Sequence, residues 1–278
     1  MPDIRVGIQK NARNDGFCEM TRNYPVIVYD GAQFIRDEVT ICIEEQIQFF
    51  VNDQHVATMV ATPDELAEFA IGFLMAEGFL KSIDDIRSLE IDDLSVNVRT
   101  VPGVVPSVFD DEIRSSGGVG NAENLDVYKP PLPDGGMIFS MDRLFSAVDM
   151  LHDLSSTWKR TGGTHSALIV SYDEETVVYA EDMGRHTAID KVIGKALMMG
   201  IQLSNCSMTC TGRLPEGMIM KAYRVGIPLI ISNNAPFSSG IDLAARLNLT
   251  VAGFVRKPKA TIYTGVQRIR DANCADPR

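Results

Sequence analysis

Apolar positions come in short runs up to about residue 101 and in longer, helix-spaced groups from residue 137 onward. Tyr24 to Tyr29, Thr40 to Cys42 and Ile47 to Val51 read as strands, with Asp30-Gly31 as turn punctuation. A helix start follows: Thr62 as N-cap, Pro63 at the first helical position and Glu65 completing a capping box. Leu66, Phe69, Ala70 and Phe73 share one face of that helix, and Gly78 can close it in a left-handed conformation. Residues 85–101 alternate weakly and predict one or two further strands.

Residues 102–136 break the pattern with Pro102, Gly103, Pro106, the run Ser115 to Gly120, and Pro130, Pro131 and Pro133. Irregular connections of this length are usually functional or disordered. Beyond it the spacing predicts a helix capped by Ser140, with Leu144, Val148, Leu151 and Leu154 on one face. Next come two apolar strands turned at Asp173-Glu174-Glu175, and a helix after Arg185-His186 that ends at Gly200. Alternating strands and helices then run through Ser207–Cys210, Pro215–Val225, Pro228–Ser232, a helix to Leu247, Leu249–Phe254 and Thr261–Thr264. The expected organisation is a flexible lead (1–23), a small α+β domain with its long loop (24–136), an α/β domain (137–270) and a tail (271–278). The α/β domain should hold a mixed sheet with helices on both faces.

Composition narrows the class. With 278 residues, 45% of them hydrophobic, the chain can bury one good core or two smaller ones. No apolar run reaches membrane-spanning length, and Met1 to Arg13 lacks the apolar centre of a signal peptide. Five cysteines without framework spacing fit a reducing compartment, so a cytoplasmic location is expected. A net charge of −11 argues against non-specific nucleic-acid binding. It leaves room for a phosphate-bearing small molecule held by a local cluster such as Arg256-Lys257-Pro258-Lys259, which reads equally as a solvated turn.

Candidate chemistry concentrates at strand ends. Thr161-Gly162-Gly163-Thr164-His165 is answered by Gly184-Arg185-His186, with Lys191 close by. Thr211-Gly212-Arg213 and Ser232-Asn233-Asn234 also stand between a strand and a helix. Open α/β sheets bind ligands at the carboxyl ends of their strands, where helix N-termini offer free N–H groups to anions and arginine forks onto phosphate. Ordinary capped connections would carry the same residues. His165 and His186 read either as a general base or as structural histidines. Neither G-x-G-x-x-G after a strand nor G-x-x-x-x-G-K-[ST] occurs. The zinc-deaminase pattern is missing too, since Ala167 stands where its glutamate would and there is no Cys-x-x-Cys, so no intrinsic metal is expected. Cys206 and Cys210 read as a reduced, buried pair.

Taken together, these motifs resemble the FdhD family of formate dehydrogenase accessory proteins, also described as sulfur carriers. The similarity runs from about Pro25 to Arg268. It includes Ala61-Thr62-Pro63 with Glu77-Gly78, the Thr161–His165 block, Gly184 to Lys191, Thr211-Gly212-Arg213, Ala235-Pro236, and Ala252-Gly253-Phe254 through Tyr263-Thr264. The resemblance implies a cytidine-deaminase-like C-terminal domain without zinc, a small N-terminal α+β domain and a cytoplasmic homodimer. It further implies sulfur transfer from a cysteine desulfurase to the molybdenum cofactor, a bis(molybdopterin guanine dinucleotide), before insertion into formate dehydrogenase. The cofactor, with its guanine-nucleotide ends, would lie partly on the segment Phe254-Val255-Arg256-Lys257-Pro258-Lys259. The family's sulfur-carrying Cys-Gly-x-Cys element corresponds to Gly117 and Gly120, neither of which can form a thiolate. Three readings follow: a cofactor-binding accessory protein without loop cysteine chemistry, a sulfurtransferase using another thiol with Cys210 as candidate, and a hydrolase on the same scaffold using His165 or His186.

Overall fold

The strand-forming runs of the first hundred residues do not make one sheet. The computed structural model describes residues 5–9, 20–103, 113–115 and 130–270, with strand pairing alone for 5–9 and 113–115. Strands β1 (Arg5–Gln9), β4 (Glu45–Val51), β5 (Gln54–Ala61), β6 (Ile86–Asp92), β7 (Ser95–Thr100) and β8 (Ile113–Ser115) form a sheet of order β1-β6-β7-β4-β5-β8. Strands β2 (Thr21–Tyr29) and β3 (Phe34–Cys42) stand apart as a two-stranded ribbon.

Residues 5–9, placed in a flexible lead, pair in parallel with β6, because a sheet edge supplies hydrogen-bond partners that local pattern cannot reveal. Strand β5, not foreseen, follows a tight turn at Asn52-Asp53, both with positive φ. The segments 10–19, 104–112, 116–129 and 271–278, with Gly117, Gly120 and the tail, lie outside the described residues.

Helix α1 (Leu66–Ala76) packs on this sheet through Phe69 and Phe73, which contact Phe49 at ring-centroid distances of 4.8 and 5.3 Å. Its capping box does not form. Glu65 takes φ 51° and makes no side-chain cap, because Thr62 is drawn into a buried ionic cluster instead. The C-terminal end is as expected: Gly78 has φ +81°, and Phe79 N–H returns to the Leu74 carbonyl at 2.9 Å.

The second sheet has the order β10-β9-β11-β12-β13-β14, from β9 (His165–Ser171), β10 (Val177–Asp182), β11 (Cys206–Cys210), β12 (Leu229–Ser232), β13 (Thr250–Arg256) and β14 (Lys259–Thr264). β11, β12 and β13 run parallel, while β9 is antiparallel to both neighbours. Helices cover both faces, which is why its strands read as nearly continuous apolar runs. On one side, α4 (Arg185–Met198), α5 (Glu216–Arg224) and α6 (Ser238–Arg246) bury Ala167, Ile169, Met208 and Ile230. On the other, α2 (Met141–Leu154) covers Leu168, Val170, Leu229 and Ile231. Ser140 caps α2 as expected, but Leu154 is exposed because α2 ends there and α3 (Ser156–Thr161) turns away.

The two units meet where α1 crosses α4. Gly72 and Gly194 face each other across the crossing, so the backbones approach directly. Beside it lie two ionic clusters with no exposed cation. Lys191 Nζ bonds the Thr62 hydroxyl (2.7 Å), Asp64 (2.6 Å) and Asp182 (2.9 Å). Lys221 bonds Asp190 (2.7 Å) and Glu77 (2.6 Å), joining α5, α4 and the end of α1.

Candidate functional site at the strand-end cleft

The parallel arrangement brings the carboxyl ends of β10, β11, β12 and β13 to one edge, where β9 begins at His165. Each expected loop therefore opens on the same side. A cleft of about 340 Å³ lies there, lined by Gly162, Gly163, Thr164, His165, Thr211, Asn233 and Asn234, together with His152, Ser155, Trp158 and Met183.

Its walls are cross-braced. Thr211 Oγ1 lies 3.0 Å from His165 Nδ1 and accepts Ser166 N–H at 3.1 Å. Asn234 donates to the Thr211 carbonyl at 2.7 Å, and Ser232 Oγ donates to the Gly212 carbonyl at 2.7 Å. Glycine is required in the second loop, since a Cβ on Gly212 would meet Arg185 Cβ at 2.7 Å. Gly162 ends α3 with φ 66°, and Thr161 Oγ1 accepts Gly163 N–H at 3.1 Å.

Arg185 and Arg213 are not among the residues that line the cleft, but both act electrostatically on His165, which is. Arg185 Nε is buried without a hydrogen-bond partner. Burial and then the neighbouring Arg213 guanidinium push the Arg185 pKa down. His165 is lowered by burial and by Arg185 and Arg213, against the pull of Asp182, so the neutral ring is favoured. A guanidinium disfavoured by burial and by a neighbouring cation, with a buried and unsatisfied N–H, is an arrangement that an anion would relieve. Gly184, the N-cap of α4, makes no side-chain cap and donates its N–H to Asp182 Oδ1 at 2.7 Å.

Not every expected residue reaches the cleft. Lys191 is wholly buried in its ionic cluster: burial alone would lower its pKa, but Asp182 and Asp64 outweigh that and leave it raised. It therefore works as a tether between the two units, not as a ligand contact. His186 is buried within α4, and Val255 is fully buried in the α2-side core. Phe254, with φ 51°, donates its N–H to the Asn234 carbonyl at 3.2 Å and so borders the cleft. Arg256, Lys257, Pro258 and Lys259 continue from it as the exposed β13–β14 turn.

Sequence reasoning missed His152 and Trp158, which α2 and α3 bring in from the side. It also missed Glu181, which accepts from Thr157 N, Trp158 N and Thr164 Oγ1 and thereby fixes the α3 wall. None of these sits in a glycine-rich loop, so no local signal marked them. Among the described residues no cluster of His, Cys, Asp or Glu is placed to hold a metal ion.

Cys210, the candidate thiol, is buried. Its pKa is pushed up to about 11 by burial, and its S–H donates to the Gly212 carbonyl at 3.6 Å. Cys206 is likewise pushed up to about 11. Cys42 is half-buried, with Sγ 3.1 Å from Thr161 Oγ1 at the rim of the cleft. A rise from 9.0 to about 11 cuts the thiolate fraction about a hundredfold. Brief alkylation of the native protein at mildly alkaline pH should therefore modify Cys42 and spare Cys206 and Cys210. Peptide-level mass mapping reads this directly, and early labelling of Cys210 would show that the β11 end is more open than described.

A family model described as the FdhD/NarQ family matches residues 42–270. A sulfur carrier protein FdhD from Methanothermobacter thermautotrophicus is 35% identical over 242 residues, covering 87% of this chain and 95% of the relative. The protein of the same name from Geobacillus kaustophilus is 31% identical over 261 residues, covering 91% and 98%. A crystal structure from Desulfotalea psychrophila, provisionally assigned as a formate dehydrogenase accessory protein, shares the fold with a TM-score of 0.73. It is 23% identical and covers 90% of this chain and 100% of its own.

Proposed function

The chain belongs to the FdhD/NarQ family, and on that premise we propose that it is an accessory protein of formate dehydrogenase that binds the molybdenum cofactor through its guanine-nucleotide ends. The observation that carries this reading is the buried, unpartnered Arg185 Nε, which with Arg213 acts electrostatically on His165 of the cleft lining without itself lining the cleft. Phosphate oxygens would accept from the guanidiniums and from the first N–H groups of α4. Arg256, Lys257 and Lys259 would draw the same anionic ligand along the β13–β14 turn, with Phe254 at its start. In this reading the second unit is a cytidine-deaminase-like scaffold adapted to binding. The protein acts as a cytoplasmic homodimer whose partners are a cysteine desulfurase and formate dehydrogenase.

Sulfur carriage, which the relatives' name states for them, has less support here. Gly117 and Gly120 offer no sulfur, and Cys206 and Cys210 are buried with raised pKa values. Cofactor binding and delivery is therefore the function proposed, ahead of covalent sulfur transfer.

Titration with GDP as a stand-in for the cofactor's nucleotide end tests it. A charge-assisted hydrogen bond contributes about 1.5–3 kcal/mol, so Arg185→Ala should weaken binding roughly tenfold to a hundredfold. Lys257→Ala should weaken it less and make it less salt-dependent. If neither substitution changes the affinity, the cleft is not the nucleotide site.

A further inference from the structure

The β2–β3 ribbon is the least covered part of the described chain. Directly opposed residues share a face, so its ladder sorts the side chains unambiguously. One face carries Tyr24, Val26, Val28, Ile35, Val39 and Ile41, and none of the six is buried. A two-stranded ribbon gains little stability by itself, and an uncovered apolar sheet face marks a surface made to be packed against. Pro25 removes one donor from β2, which disfavours strand addition along that edge and leaves the face as the means of association.

The charges on that face indicate what covers it. It holds one cation, Arg22, opposite Ile41, and one anion, Asp37, opposite Val26. They are two rungs of the same face apart, roughly 13 Å along the ribbon, with the Tyr24–Val39 rung midway between them. A two-fold axis through that middle rung would set each Arg22 against the other copy's Asp37. It would also pack Tyr24 and Val39 against their own equivalents. The face is thus complementary to itself, which is what an isologous contact requires. The formal charge of β2 and β3 is zero, with Arg22 and Arg36 balancing Asp37 and Glu38, on a chain of net charge −11. Here two copies can approach without the repulsion that the rest of their surfaces would impose.

We propose that this face of the β2–β3 ribbon is where two copies of the chain pack together, with Arg22 and Asp37 forming reciprocal ion pairs about the Tyr24–Val39 rung. The proposal rests on the homodimer reading above and assigns it a surface. Sedimentation equilibrium of the full chain across a dilution series tests it. Arg22→Asp and Asp37→Arg each create two like-charge contacts by symmetry, and each should weaken self-association on the order of a hundredfold. Combining the two reverses both charges and should restore association to within a fewfold of the original. Tyr24→Glu should break it without rescue. All three positions are exposed, so unchanged melting temperatures will show that the fold is intact. Dimerisation unaffected by either single substitution, or failure of the combined variant to recover, would overturn this surface while leaving the homodimer standing. A wild-type chain that is monomeric at every concentration would overturn both.

Discussion

Replacing Gly72 by alanine is expected to destabilise the protein by about 3 kcal/mol, although helix propensity alone predicts a gain of about 0.5–1 kcal/mol. The sign reverses because of the neighbour. A Cβ at position 72 would lie 2.6 Å from the Asp190 carbonyl carbon and 2.8 Å from Gly194 N, both backbone atoms of α4. Neither can rotate aside, so the helices must separate and the cores on either side must loosen. Gly194→Ala should behave alike, since its Cβ would meet the α1 backbone at Glu68. Gly217→Ala on α5 is the control: its Cβ would meet only His186 Nε2, at an ordinary 3.7 Å. Urea unfolding of the three variants should give two large losses and one small change. A stabilised Gly72→Ala would mean that α1 and α4 do not cross so closely.

Lys191→Met is expected to cost about 3–5 kcal/mol, because it leaves Asp182 and Asp64 without their cation. Asp182 is fully buried, and Thr62 N–H and Oγ–H remain its donors at 3.0 and 2.6 Å. Those two bonds cannot neutralise a buried carboxylate. The consequence reaches the cleft indirectly, since Asp182 also accepts the Gly184 N–H at the start of α4. Denaturant midpoint and GDP affinity should be measured on the same preparation. A large stability loss identifies a tether. Full stability with lost nucleotide binding would instead make Lys191 a ligand residue, as the sequence motif suggested.

That contrast shows where the sequence was legible. The strand-end loops were visible because glycine beside arginine or histidine between a strand and a helix is a local pattern, and parallel strands carry such loops to one edge. Lys191 shares the motif's helix and was counted with it, but further along α4 it points to Thr62 and Asp64 of the other unit. Thr62 misled for the same reason. A hydroxyl three residues before a glutamate satisfies the capping rule locally, while a buried aspartate 120 positions away competes for it. Val255 sits inside the basic segment, yet strand alternation turns it into the core while Phe254 and Arg256 face outward.

By itself the sequence determined the family, the α/β alternation of the second unit, the turns at Gly78 and Gly200, and the glycine loops of the cleft, because each depends on neighbours a few residues apart. Tertiary structure decided which of those loops hold unpaired positive charge, that Cys210 is sealed away, and that Trp158 and His152 complete the cleft wall. It also decided that two glycines let α1 and α4 touch, and that a ribbon with one largely apolar, unburied face stands apart from both sheets. These depend on burial and on distances between residues far apart in the chain, which no spacing rule along one strand or helix contains.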